Sequence, residues 1–195
     1  MAGYGIIDGF LGAGAAGHLL TQIIAAGEGF TASRVRGEGQ QIRSSLRLPG
    51  RVGVDLDGFT RAVVSRFEEL AALAGTPLFD IYHAERSIVA HRDGDYYRTH
   101  IDTRTQAADD APGSIRVLSC VYYLHAEPRR FSGGELLLHR VGVGDPVSIE
   151  PVHDRLAVFP SFLPHEVRPI ASSSNRFEDS RFSINCWLHK ARHTG

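Results

Sequence analysis

The stretch Arg181-Phe-Ser-Ile-Asn-Cys-Trp-Leu-His189, RFSINCWLH, decides the fold. Arg181, Ser183, Asn185 and Trp187 fall on one face of an extended chain, and Phe182, Ile184, Cys186 and Leu188 on the other. Such a period of two describes a strand, not a helix. Working outward, seven more runs of this kind fill the chain from residue 78: LFDIYHAERSIVAH, YYRTHIDT, SIRVLSCVYYLH, GELLLHRV, DPVSIEPV, RLAVFPSF and HEVRPIA, divided by Gly, Pro, Asp and Ser. Strands with no helical pattern between them predict an antiparallel sandwich or barrel such as a jelly roll, over about residues 78–192.

Before residue 78 the period is 3.6, which predicts a helical preface over about 8–77. LGAGAAGHLLTQIIAAGEGF carries Leu19, Leu20, Ile23 and Ile24 at helix spacing, and DGFTRAVVSRFEELAALAG opens on Asp57 as a cap with Phe59, Val63, Phe67, Leu70 and Leu73 on one stripe. Between them TASRVRG reads as a strand and GQQIRSSLRLPG fits neither period. No composition shift marks a second domain, so residues 1–195 are expected to form one.

A 43% hydrophobic content suffices for a sizeable core, and a net charge of -1 gives no global reason to expect nucleic acid as a partner. No apolar run approaches the roughly 20 residues of a membrane span, so no membrane partner is expected. The N-terminus lacks a basic region and carries Asp8 among its apolar residues, unlike a signal peptide. Cys120 and Cys186 sit in apolar runs that suit buried thiols, which makes a reducing cytoplasm the expected compartment. The oligomeric state is not specified.

Two motifs point elsewhere. Gly12-Ala-Gly-Ala-Ala-Gly17 satisfies the dinucleotide fingerprint before a helix, with Glu38 about twenty residues on, but Asp8 and Gly9 interrupt the preceding strand and alternating βαβ units are missing. His91-Arg92-Asp93 begins like a kinase catalytic loop, yet Arg98 stands where that loop has asparagine, and HRDGD reads as a turn.

His100 and Asp102 share a strand face, and a His-x-Asp pair supplies two of the three ligands of a non-haem Fe(II) oxygenase site. A second imidazole must come from a distant strand. His165 is the candidate, because RLAVFPSFLPHEV ends a strand, crosses between Pro160 and Pro164, and delivers a histidine beside another strand.

The ordered set of His-x-Asp, the turn SGGELLLH, the spacing from Phe159-Pro160 to His165, and Arg181 through Trp187 resembles the 2-oxoglutarate/Fe(II) dioxygenases of the prolyl 4-hydroxylase catalytic-domain type, from about residue 4 to the end. The resemblance implies a double-stranded β-helix core flanked by two or three helices. It implies His100, Asp102 and His165 as iron ligands, Arg181 on the distal carboxylate of 2-oxoglutarate, and Tyr123 and Asn185 beside it. Val121, Leu138 and Trp187 become walls, and the polar face of the last strand becomes the lumen. The family's basic residue usually lies about ten positions after the second histidine, whereas Arg181 lies sixteen after; Arg176, in the loop ASSSNRFEDS, is therefore a second choice. His91 stands near a position where a tyrosine is common and is a substitute donor.

The implied reaction hydroxylates an unactivated C–H bond, with O2 consumed and 2-oxoglutarate split into succinate and CO2; ascorbate is compatible as a reductant. The presence of Asp102 argues against halogenation. A prolyl residue, a free proline-like amino acid or another small molecule fits, with peptidyl substrates less favoured for want of a peptide-binding module. HRDGDYY, TRTQAADDAPGS and HAEPRRFSGG, with Arg129 and Arg130, are read as the mouth. Two alternatives remain: a non-redox metal-binding barrel in which His125, His139 or His153 join His100, and a nucleotide-dependent oxidoreductase using Gly12 to Gly17.

Overall fold

The computed structural model describes residues 3–33, 35–37, 40–50, 53–103, 113–139 and 144–192. Its strands are β1 (Gly5–Asp8), β2 (Thr31–Ala32), β3 (Val35–Gly37), β4 (Gln40–Ser44), β5 (Leu46–Leu48), β6 (His83–His91), β7 (Tyr96–His100), β8 (Ser114–Leu124), β9 (Ser132–Gly133), β10 (Leu136–Leu138), β11 (Val147–Ile149), β12 (Arg155–Pro160), β13 (His165–Val167), β14 (Ile170–Ala171) and β15 (Arg181–Ala191). The α-helices are α1 (Ala13–Ala25), α2 (Asp57–Ser65) and α3 (Phe67–Ala74).

Two antiparallel sheets make the jelly roll. The larger runs β1-β12-β8-β15-β6-β5-β2 and the smaller β11-β10-β13-β7-β4-β3. Alternation along β15 sorts its residues as its sequence implies. Phe182, Ile184, Cys186 and Leu188 pack with Ala16, Leu19 and Ile23 of α1, Phe59 and Val63 of α2 and Leu70 of α3 on the outer face of the larger sheet. A smaller apolar cluster, including Val121, Tyr123, Leu138, Phe159 and Leu163, fills part of the space between the sheets. Every strand expected after residue 78 is present.

The preface differs from a purely helical one. β2 and β5 extend the larger sheet and β3 and β4 the smaller, so the chain crosses between sheets at the buried Ser45. The expected helix over 57–75 breaks at Arg66, whose φ of -104° and ψ of 17° separate α2 from α3. The break rotates the stripe: Leu70, Ala71 and Ala74 are buried, whereas Leu73 is exposed. Asp57 lies inside the first turn, and the Asp55 carboxylate accepts its backbone N–H at 2.8 Å.

β1 runs antiparallel to β12 at the sheet edge, so the glycine motif after it opens no βαβ unit. Gly12 only precedes α1, with a φ of +82°. HRDGD is the turn from β6 to β7, with Gly94 at a φ of +74° and the Asp95 carboxylate accepting the Arg92 N–H. Among the described residues no helix is long and apolar enough to cross a membrane.

Candidate metal centre

His100 closes β7, and Asp102 follows in a bend pinned by the backbone: the N–H groups of Asp102 and Thr103 both donate to the Ser161 carbonyl at 2.9 Å. His165 opens β13 directly opposite His100 in the register. The turn between β12 and β13, closed by Leu163 N–H to the Pro160 carbonyl at 2.9 Å, delivers it there. His165 Nε2 lies 3.5 Å and His100 Nε2 3.8 Å from the Asp102 carboxylate. Among the described residues these are the only three or more His, Cys, Asp or Glu side chains whose ligand atoms all lie within 4.8 Å of one another.

Both imidazoles are oriented. His100 Nδ1 lies 2.9 Å from the Arg98 carbonyl and His165 Nδ1 2.9 Å from the Leu163 carbonyl. A carbonyl only accepts, so each Nδ1 carries the proton and each Nε2 presents a lone pair inward. Burial, then His165, pulls the His100 pKa down to about 4, which keeps that lone pair free at neutral pH. Burial acts to raise the Asp102 pKa. His165 and His100, with hydrogen bonds from Trp187 and from Ser119 Oγ at 2.7 Å, outweigh it and hold the carboxyl below its ordinary value. Ser161 Oγ, 2.9 Å from Ser119 Oγ, extends this support.

Beside the triad, a recess of about 490 Å³, mouth included, is lined by Val121, Leu136, Ser183, Asn185 and Trp187 and closed by His91 and Arg181. Arg181 and His91 oppose each other across β15 and β6, with Arg181 Nη1 3.2 Å from His91 Nδ1. Nδ1 must accept from the guanidinium, so His91 Nε2 carries a proton. That Nε2, Arg181 Nε and the Tyr123 hydroxyl are buried with no aligned hydrogen-bond partner. The Arg181 guanidinium lies over the Tyr123 ring at 4.8 Å, which groups these donors at one end of the recess. Burial depresses the Arg181 pKa and, followed by Arg181 and Arg43, depresses that of His91 strongly; burial raises that of Tyr123 against the pull of Arg181. A buried guanidinium with its own Nε unsatisfied, beside the unsatisfied His91 Nε2 and Tyr123 hydroxyl, fits a carboxylate.

Several expectations need correcting. Leu138 faces His165 in the register but belongs to the apolar cluster; Leu136 and Val167 line the recess in its stead. Arg176 is exposed and paired with Glu178, away from the recess. His125 packs on His153 and His139 lies near Glu166, so none of the three joins His100. HAEPRRFSGG leads from β8 to β10 at the Arg181 end, where a Cβ on Gly134 would meet Arg181, and neither Arg129 nor Arg130 lines the recess. The loop TRTQAADDAPGS falls largely outside the described residues.

Sequence reasoning missed Arg43 and Tyr97. Both line the recess, and the Tyr97 ring stacks on His100 with centroids 3.6 Å apart. The register between β7 and β13 advances three residues against two between Tyr97 and His100, a bulge that turns both rings to one face.

The sequence profile of the 2OG-Fe(II) oxygenase superfamily matches residues 86–189. A curated PKHD-type hydroxylase of Synechocystis sp. is 29% identical over 196 residues, covering 96% of this chain; the chain spans 63% of that relative's length. Among solved structures, a prolyl hydroxylase from Trichoplax adhaerens in complex with a hypoxia inducible factor peptide fragment superposes with a TM-score of 0.70 at 22% identity, over 96% of this chain and 84% of that one. A prolyl-4-hydroxylase from Pseudomonas putida gives a TM-score of 0.67 at 22% identity, over 98% and 95%. At these identities the structural likenesses speak to the fold.

Proposed function

Because the chain belongs to the 2OG-Fe(II) oxygenase superfamily, we propose that it is a 2-oxoglutarate- and Fe(II)-dependent hydroxylase of an unactivated C–H bond. His100, Asp102 and His165 hold the iron in this reading, and Arg181 with Tyr123 and His91 holds the distal carboxylate of 2-oxoglutarate. The observation that carries it is the pairing of an oriented His/Asp/His triad with the buried Arg181 guanidinium and His91 in one recess, with Tyr123 packed behind the guanidinium. When bound, Fe(II) with 2-oxoglutarate supplies the power to activate O2, yielding succinate, CO2 and an oxidant for the substrate.

The chain's own residues bind, orient and exclude water. His100 and His165 would hold the ion through their Nε2 atoms and Asp102 through its carboxylate, which would leave room on it for 2-oxoglutarate and O2. Arg181 stays charged and its fork matches a carboxylate, with the Tyr123 and His91 donors completing the cradle. Asn185, on the same face as Arg181, sits between that cradle and Trp187. Trp187 and Ser119 fix the carboxylate oxygens of Asp102, and Val121 and Leu136 keep the intervening wall apolar.

Prolyl residues, proline-like amino acids and other small molecules are the substrate classes in view, since the structural relatives include prolyl hydroxylases. Incubation with Fe(II), 2-oxoglutarate and candidate substrates is expected to release succinate. Asp102→Ala should lower that release at least a hundredfold; unchanged turnover in this variant would sink the proposal.

A further inference from the structure

Arg43 is a second arginine in the recess, and the assigned ligands leave it unused. It sits on β4 opposite Tyr97 of β7, with its guanidinium 4.9 Å from the centre of the Tyr97 ring that stacks on His100. Its Nε donates to Ser45 Oγ at 2.9 Å, and it hydrogen-bonds the Tyr97 side chain. Both partners are neutral. Among the described residues no carboxylate lies within 4.0 Å of it, whereas Arg116 meets Glu85 at 2.6 Å and Arg155 meets Asp8 at 2.6 Å.

Charge balance gives this a meaning. A divalent ion and Arg181 together neutralise Asp102 and a dianionic oxo acid. Among the described residues Arg43 then remains a positive charge with no carboxylate against it in a partly desolvated pocket, an arrangement that favours an incoming anion. Resting on the reading above, we propose that Arg43 binds a carboxylate of the substrate, so that the compound hydroxylated is itself an acid. With Nε engaged by Ser45 and one Nη hydrogen by Tyr97, the guanidinium keeps further Nη hydrogens that a carboxylate can take through charge-assisted hydrogen bonds. From its place beside Tyr97 and His100, Arg43 would hold the acid group on the metal side of the recess, apart from the Arg181 cradle.

A free amino acid and a peptide can each supply that carboxylate, and one experiment separates the two. Succinate release by the Fe(II)-loaded protein is measured with a pool of free L-amino acids, the same amino acids as primary amides, a pool of N-acetylated peptides bearing Asp, Glu or a free C-terminus, and their amide counterparts. In parallel, 2-oxoglutarate is titrated calorimetrically into the Mn(II)-loaded wild type, Arg43→Gln and Arg43→Lys, with melting temperatures recorded. One acid pool is expected to stimulate release at least tenfold over its amides, and which pool answers identifies the source. Arg43→Gln should weaken that substrate about thirtyfold or more, Arg43→Lys less, while affinity for 2-oxoglutarate moves under threefold in both. Equal stimulation by amides, stimulation by no acid pool, or a tenfold loss of 2-oxoglutarate affinity in Arg43→Gln overturns the inference. A wild type that binds no 2-oxoglutarate overturns the hydroxylase reading as well, and that outcome is visible separately in the titration.

Discussion

His91 shows how much chemistry one buried side chain can hold. Burial, then Arg181 and Arg43, presses its pKa well below the ordinary value near 6.5, so the folded protein keeps it neutral. The unfolded chain takes up a proton there as pH falls below about 6.5, so stability is present above that pH and declines below it, by about 1.4 kcal/mol per pH unit for one such group. The unfolding free energy of the metal-free protein, from urea titrations, should therefore be lower at pH 5 than at pH 7 on account of this residue. His91→Gln should remove that part of the slope, leaving what His83, His100 and His125 contribute through their own lowered pKa values. An identical slope in wild type and variant would contradict the assignment. The residues legible in sequence were those with distinctive chemistry at fixed spacing: His100, Asp102, His165 and Arg181 meet in one recess. Tyr97 was illegible because the bulge in β7 reverses the parity by which faces are read. Arg43 was illegible because a polar lumen inverts the usual apolar-inside rule, and GQQIRSSLRLPG is split between two sheets.

At the scale of elements, the glycine pair before β10 determines where Arg181 can lie. Gly134 has a φ of +73°, and a Cβ there would strike the Ile170 side chain and lie 2.9 Å from Arg181 Cδ. Gly134→Ala is expected to destabilise the fold by about 1–3 kcal/mol through overpacking and left-handed strain, and to weaken 2-oxoglutarate binding by displacing the guanidinium. Gly12→Ala is the control: its φ is +82° but nothing lies within 4 Å, so only backbone strain of about 1 kcal/mol should appear. Denaturant midpoints and 2-oxoglutarate titration distinguish the two. Strand periodicity was legible throughout the core. The kink at Arg66 was not, because a single apolar stripe drawn across residues 57–75 carries no mark of a break.

For the whole molecule, the triad acts as a clasp between layers. His100 and His165 come from the smaller sheet, while Asp102 is held by Ser119 and Trp187 of the larger. A divalent ion bound by all three should therefore stabilise the native state as a unit. At a free Mn(II) concentration of about 100 times Kd the gain is about 2.7 kcal/mol, or roughly 5–11 °C in melting temperature for a chain of this size. Asp102→Ala should abolish the shift; an equal shift in that variant would place the ion elsewhere.

The carbonyls of Arg98 and Leu163 add a consequence for how the ion arrives. Each fixes its imidazole as one tautomer with the inward nitrogen bare, and His100 and Asp102 both hold their protons more weakly than usual. At neutral pH these two groups have no proton to surrender, so their share of metal capture is a bare association, and its heat is indifferent to the ionisation enthalpy of the buffer around it.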